Sequence, residues 1–159
     1  MGLTTEEIGL LRSSWNEMKT IGMKELGLLI FHRLFSDVPR IRKMFYNLEL
    51  PDDETLTLEA MRSNQKMSRH ATRIATSIST YLKLVDQPEE LKTFLNGLGE
   101  LHAGHNVEPE DFEYLAPVML AVIGGQLNLN SNSAILQAWV KAYGVLRNGI
   151  VRGMYAYKG

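Results

Sequence analysis

The chain has 159 residues, with 17 lysines and arginines against 18 aspartates and glutamates and a formal net charge of −1. That length suits one domain with a real core, and the near balance of charge argues against a sequence-independent nucleic-acid binder, which needs a clustered basic excess. Cysteine is absent, which excludes disulfides and thiolate metal sites.

Met1-Gly2-Leu3-Thr4-Thr5-Glu6-Glu7 shows no basic segment followed by an apolar stretch, so no secretory signal is expected. Glu6 stands where a myristoylation motif wants Ser or Thr. Thr4 and Glu7 form a capping-box pair, and Leu3 with Ile8 has hydrophobic-staple spacing. Ile8, Leu11, Trp15 and Met18 then recur at helical steps. After a break at Gly22, a second helix is expected from about Met23 to Ser36, with Leu26, Ile30 and Leu34 on its broad apolar face. Asp37-Val38-Pro39 reads as a helix end followed by a new short helix, because proline suits a first turn.

Asn47 to about Asp53 reads as a loop around Pro51. A long helix follows, from near Thr55 or Arg62 to Val85, with Met67, Ala71, Ile74, Ile78 and Leu82 as its stripe. Asp86-Gln87-Pro88 separates it from a helix whose inner face is Leu91, Phe94, Leu95, Leu98 and His102. Gly104 to Pro109 closes that helix and opens the next. From Glu110 to Leu127 the chain is strongly apolar, and Pro117 is expected to bend this segment or cost it a backbone hydrogen bond. Asn128 to Ser133 is a turn-rich link, and the last helix carries Ile135, Trp139, Tyr143, Leu146 and Ile150. The longest uncharged run, Tyr114 to Val140, holds Pro117, Gly124-Gly125 and that link, so it cannot be one membrane span. With no sustained period-two alternation and no internal repeat, the expectation is an all-α domain of about seven to eight helices over residues 1–159, cytoplasmic, with no nucleic-acid partner.

Enzyme signatures are scarce: there is no Gly-rich phosphate loop, no Gly-x-Ser-x-Gly elbow and no His-Glu-x-x-His pair. The carboxylates cluster at expected helix starts, where acids favour the positive end of the dipole. The chemistry therefore falls to four histidines. His32 reads as surface or a half-buried filler. His70 and His102 each lie on the apolar stripe of their helix. A lone histidine on such a face is usually a satisfied core residue. Two on consecutive inner faces suit an iron porphyrin, whose iron is commonly held by histidine. His102 and His105 also form an i, i+3 pair, but zinc wants three or four converging ligands and only Glu100 and Glu108 are near.

Taken in order, these residues resemble the globin family over nearly the whole chain. Leu34-Phe35, Pro39 and Phe45 match the pattern of a helix end, a proline and a phenylalanine wedged against haem. Leu98-Gly99-Glu100-Leu101-His102, followed by Val107 and Phe112, is similar to the segment carrying the proximal histidine, and His70 lies 32 residues earlier, where the distal histidine is expected. Trp15 and Trp139-Val140-Lys141-Ala142-Tyr143 also match. The resemblance implies a globin fold, helices packed three-on-three around a haem pocket, and haem b (iron protoporphyrin IX) as cofactor. It implies His102 as proximal ligand and His70 as distal residue, with Phe31, Phe45, Arg73, Ile74, Leu98, Val107 and Phe112 around the cofactor. Arg73 is placed to meet a haem propionate, though a solvated basic residue reads as well there. Tyr143 reads as core or pocket wall.

Phe31-His32-Arg33-Leu34-Phe35 is similar to neuroglobin-like members, which often ligate iron through both histidines when no gas is bound. The chain departs from them in lacking cysteine, in the position of Tyr46 and in Pro117. The first functional expectation is reversible binding of dioxygen, carbon monoxide or nitric oxide at ferrous haem, bis-histidyl when gas-free. The second is haem redox enzymology, nitric-oxide dioxygenation or nitrite reduction, which needs an external reductase because no reductase domain is attached. A haem-based sensor and a haem-free helical regulator follow.

Overall fold

The computed structural model describes residues 2–45, 56–105 and 107–158. Among the described residues it is built from eight α-helices: α1 (Thr5–Met18), α2 (Met23–Asp37), α3 (Pro39–Lys43), α4 (Leu58–Arg62), α5 (Gln65–Leu84), α6 (Pro88–Gly104), α7 (Leu115–Leu127) and α8 (Ala134–Lys158). Two 3-10 segments, Lys19–Ile21 and Pro109–Tyr114, complete the described elements. The expected loop from Asn47 to Asp53 lies outside the described residues.

Local chemistry sets most boundaries. Thr4 caps α1, its hydroxyl accepting from Glu7 N at 3.1 Å while Glu7 Oε1 accepts from Thr4 N at 2.7 Å. Such a cap stabilises a helix by about 1 kcal/mol. Val38 closes α2 through its N–H on the Leu34 carbonyl, and Pro39 opens α3 at a position that needs no donor. Of the two starts expected for the long helix ending near Val85, the later one, near Arg62, is close to the observed start of α5, and Leu58–Arg62 forms the separate α4. Asn64 is an N-cap whose side chain accepts from Met67 N, so α5 starts afresh at Gln65. Pro117 does not bend a helix interior. A 3-10 segment ends at Tyr114 and α7 starts at Leu115, which puts Pro117 in the first turn, where backbone donors lack intrahelical partners anyway. Asn128 ends α7 in the left-handed region (φ 54°), which asparagine tolerates better than most residues.

Two helix crossings form the frame, α2 on α5 and α6 on α8; α1 lies across α8, and α7 packs on α2 and α8. Small residues permit both crossings. A Cβ on Gly27 of α2 would lie 1.9 Å from the carbonyl oxygen of Ala71 in α5, and one on Gly99 of α6 would lie 2.4 Å from that of Ile150 in α8. The core between them buries Leu11, Leu26, Leu28, Ile30, Met61, Met67 and Ile123 completely, each worth about 1.5–3 kcal/mol against exposure.

Polar groups in this core are paired. Ser14 is buried; its hydroxyl donates to the Leu11 carbonyl and accepts from Trp139 Nε1 at 2.9 Å. Trp15 Nε1 donates to Ser79 Oγ at 2.7 Å, and the two indoles lie 5.9 Å apart. Tyr81 donates its hydroxyl to the Ala142 carbonyl at 2.7 Å. These bonds fix α1, α5 and α8 against one another. Among the described residues no helix is long and apolar enough to cross a membrane.

Candidate haem site

His70 lies mid-face on α5, half-buried, with its ring edge-on to Phe45 at 5.8 Å between centroids. Phe45 follows α3, where its N–H bonds the Arg42 carbonyl, and so reaches α5 from the short helix that Pro39 starts. Its ring also meets Phe31 at 5.5 Å and Phe35 at 5.2 Å, and the latter two lie 5.7 Å apart on successive turns of α2. Each such aromatic contact adds about 0.5–1.5 kcal/mol beyond area burial. His70 thus faces an apolar aromatic wall. Neither ring nitrogen has a hydrogen-bond partner among the described residues. Burial pushes its pKa down, with the charges of Arg73 and His105 adding to the effect.

The second group gathers at the end of α6. His102 Nδ1 lies 2.7 Å from the Leu98 carbonyl oxygen. A carbonyl only accepts, so Nδ1 carries the proton and a neutral ring presents Nε2 as a free lone pair. Burial lowers the His102 pKa, the Leu98 bond opposing it and His105 assisting. The ring of Phe112, buried in the 3-10 segment, stands 5.2 Å from His102 at 66°. Val107 bonds its N–H to the His102 carbonyl at 3.1 Å, which ties the strand of chain after α6 back to the same turn.

Two clusters therefore emerge among the residues expected from sequence: Phe31, Phe45 and His70 in one, Leu98, His102, Val107 and Phe112 in the other. Ile74, half-buried one turn after His70, continues the face of the first. Arg73 is exposed and shares a surface groove with Lys24, Ser68, Arg69 and Thr72. It lies in that surface groove and not in the apolar shell. His105 caps α6 and is exposed, and it adds to the lowering of the pKa of both His70 and His102. His32 is half-buried, its Nε2 3.0 Å from the Leu56 carbonyl oxygen.

The profile of the globin family matches residues 28–150 of this sequence. The chain belongs to the globin family. This globin is 26% identical to cytoglobin-1 of Oryzias latipes over 145 residues, 91% of this chain and 79% of that one. It is 24% identical to neuroglobin of Tetraodon nigroviridis over 153 residues, 95% and 92% of the two chains. Its backbone superposes on the crystal structure of a hexacoordinated haem protein from an anhydrobiotic tardigrade with a TM-score of 0.82, at 16% identity and 96% coverage of both chains. The globin fold and these relatives support a haem cofactor.

The donor set fits that group. Two imidazoles stand in apolar, aromatic surroundings, one with a tautomer that leaves Nε2 available, and a third imidazole lies exposed at the helix end. Periodicity located His70 and His102, while Phe35, read only as part of a helix-end pattern, and Tyr143, read as core or pocket wall, gain their parts in the structure. Phe35 completes the aromatic wall, and its i, i+4 spacing from Phe31 was a usable signal. Tyr143, on α8, donates its hydroxyl to the Phe112 carbonyl, a contact between residues 31 apart in sequence that no local pattern announces.

Proposed function

We propose that residues 1–159 form one globin domain that binds haem b and, through it, takes up dioxygen, carbon monoxide or nitric oxide reversibly in the cytoplasm. When bound, ferrous haem supplies a metal centre with an open or exchangeable position for a diatomic gas. The observation that carries this reading is the pair of histidines set against aromatic rings, with the tautomer of His102 fixed by Leu98.

In this reading His102 would hold the haem iron through Nε2. The Nδ1–H to Leu98 bond orients the ring and raises its basicity, as an outer-shell carbonyl does for a ligating histidine. In the gas-free protein His70 would be a second histidine ligand. Among the described residues its ring nitrogens have no protein partner, so one would be free to ligate, and once displaced and protonated that same nitrogen would donate a hydrogen bond to bound gas. Phe31, Phe45, Ile74, Leu98, Val107 and Phe112 exclude water. Arg73, an exposed cation, is the partner for a propionate.

Spectra of the ferrous protein test this. The gas-free wild type is expected to be low-spin and six-coordinate. His70→Leu is expected to be high-spin and to bind carbon monoxide faster. A wild-type ferrous spectrum already high-spin overturns ligation by His70, and a purified protein that takes up no haem overturns the whole reading.

A further inference from the structure

The Pro109–Tyr114 segment is tied to its surroundings at four successive side chains or carbonyls. From α3, Arg40 pairs with Asp111 at 3.0 Å and lays its guanidinium 5.1 Å over the Tyr114 ring. From α8, Arg147 pairs with Glu113 at 2.5 Å, and Tyr143 donates to the Phe112 carbonyl. The two ion pairs each have a well-exposed member, where charge pairing contributes little. The Tyr143 bond is half-buried, and it falls on the one residue of the segment whose ring meets His102.

We propose that Tyr143 is a positioning residue for His102: its hydroxyl fixes the Phe112 backbone so that the Phe112 ring holds the imidazole at the angle where Nδ1 reaches Leu98. This rests on the reading of His102 as the iron ligand. Three links make the chain, and each is seen: Tyr143 to the Phe112 carbonyl, Phe112 ring to His102 ring at 5.2 Å, and His102 Nδ1 to the Leu98 carbonyl at 2.7 Å. The phenol stays protonated and a donor, because burial and the charge of Glu113 push its pKa upward. The Phe112 carbonyl also accepts from the Leu115 N–H, so removing the hydroxyl leaves that oxygen with a partner. Tyr143→Phe therefore loosens an anchor without orphaning a buried acceptor.

The test uses resonance Raman of the iron–histidine stretch in ferrous protein, in a His70→Leu background so that only one histidine ligates, together with haem transfer to an apo-acceptor protein. Tyr143→Phe lets the imidazole drift from Leu98 and donate its proton less strongly. The stretch is then expected at lower frequency and broader, with haem loss about tenfold faster, the scale of an outer-shell change at a metal ligand. Tyr81→Phe is the matched control. It removes a similar tyrosine-to-carbonyl bond, from α5 to the Ala142 carbonyl of α8 at 2.7 Å, without touching the Phe112 carbonyl. It is expected to lower the denaturation midpoint and leave the stretch unchanged. Phe112→Leu keeps the anchor, removes the ring, and should reproduce the shift even if Tyr143→Phe does not fold. An unchanged stretch in Tyr143→Phe or Phe112→Leu, or an equal shift in Tyr81→Phe, overturns the proposal. If His102→Ala retains the iron–histidine stretch, the ligand assignment beneath it fails instead.

Discussion

Gly27→Ala puts a methyl group where the backbones of α2 and α5 touch. The new Cβ would lie 1.9 Å from Ala71 O, 2.4 Å from Ala71 C and 2.7 Å from its Cα, whereas real Cβ atoms essentially never come within 3.0 Å. All three obstacles are backbone, so no side chain can rotate away, and the helices must separate by about an ångström. Overpacking in a core costs about 1–3 kcal/mol, and a rigid obstacle sets the upper end. Alanine returns about 1 kcal/mol of helix propensity over glycine. The net expectation is a loss of about 2 kcal/mol, or about 4–8 °C in Tm for a chain of this size. Gly124→Ala calibrates it: the nearest atom to its Cβ is Leu136 Cδ1 at 3.7 Å, an ordinary contact, so this change should stabilise by up to about 1 kcal/mol. Urea unfolding of both variants with equal m-values gives the comparison. Because Ala71 follows His70, the separation should also weaken low-spin character in the ferrous spectrum. Gly27→Ala within about 0.5 kcal/mol of wild type, a shift ordinary for a surface change, refutes the steric argument.

His102→Ala should largely abolish haem retention while His105→Ala keeps a normal absorption spectrum; the reverse result reassigns the ligand. Phe45→Ala removes three ring contacts and should cost about 3 kcal/mol, the low end for a buried phenylalanine because this one is half-buried; unchanged haem transfer to an apo-acceptor takes Phe45 out of the pocket. In the haem-free protein, acidification should destabilise the fold in a defined window. Both inward histidines have pKa values lowered from the ordinary 6.5, so below that pH the unfolded chain binds protons the folded chain refuses. Stability is full above about 6.5 and falls as pH drops toward the depressed native values. Denaturation midpoints measured across pH 7.5 to 5 check it, and His70→Leu should flatten part of the slope.

Much of the architecture was legible because its signals are local. The Thr4–Glu7 box, Val38-Pro39 and Pro88 each act within one helical turn, and the boundaries they mark are those observed. The choice between Thr55 and Arg62 as the start of the long helix stayed open because one asparagine is a modest cap signal inside a continuing helical pattern. Pro117 misled for the opposite reason: its effect depends on where the helix begins, which the 3-10 segment before it decides. The histidine faces followed from the 3.6-residue period alone. The partners that shape their surroundings did not, because Tyr143 with Phe112 and Arg40 with Asp111 join residues 31 and 71 positions apart. Likewise, Gly27 reads in sequence as a weak helix former, and its need to be small exists only once Ala71 lies against it.

The paired indoles have a practical consequence for anyone following this molecule by light. The chain has two tryptophans, and both lie at a single locus, 5.9 Å apart, 2% and 5% exposed and hydrogen-bonded to buried or part-buried serines. Native emission should be blue-shifted and should redden when α1 parts from α8 or from α5. Loosening of the Pro109–Tyr114 segment, or of Phe45 from His70, leaves that locus intact. An unfolding curve taken from tryptophan fluorescence is thus a record of one corner, and its coincidence with circular dichroism and Soret absorbance is what decides whether the site melts with the rest or before it.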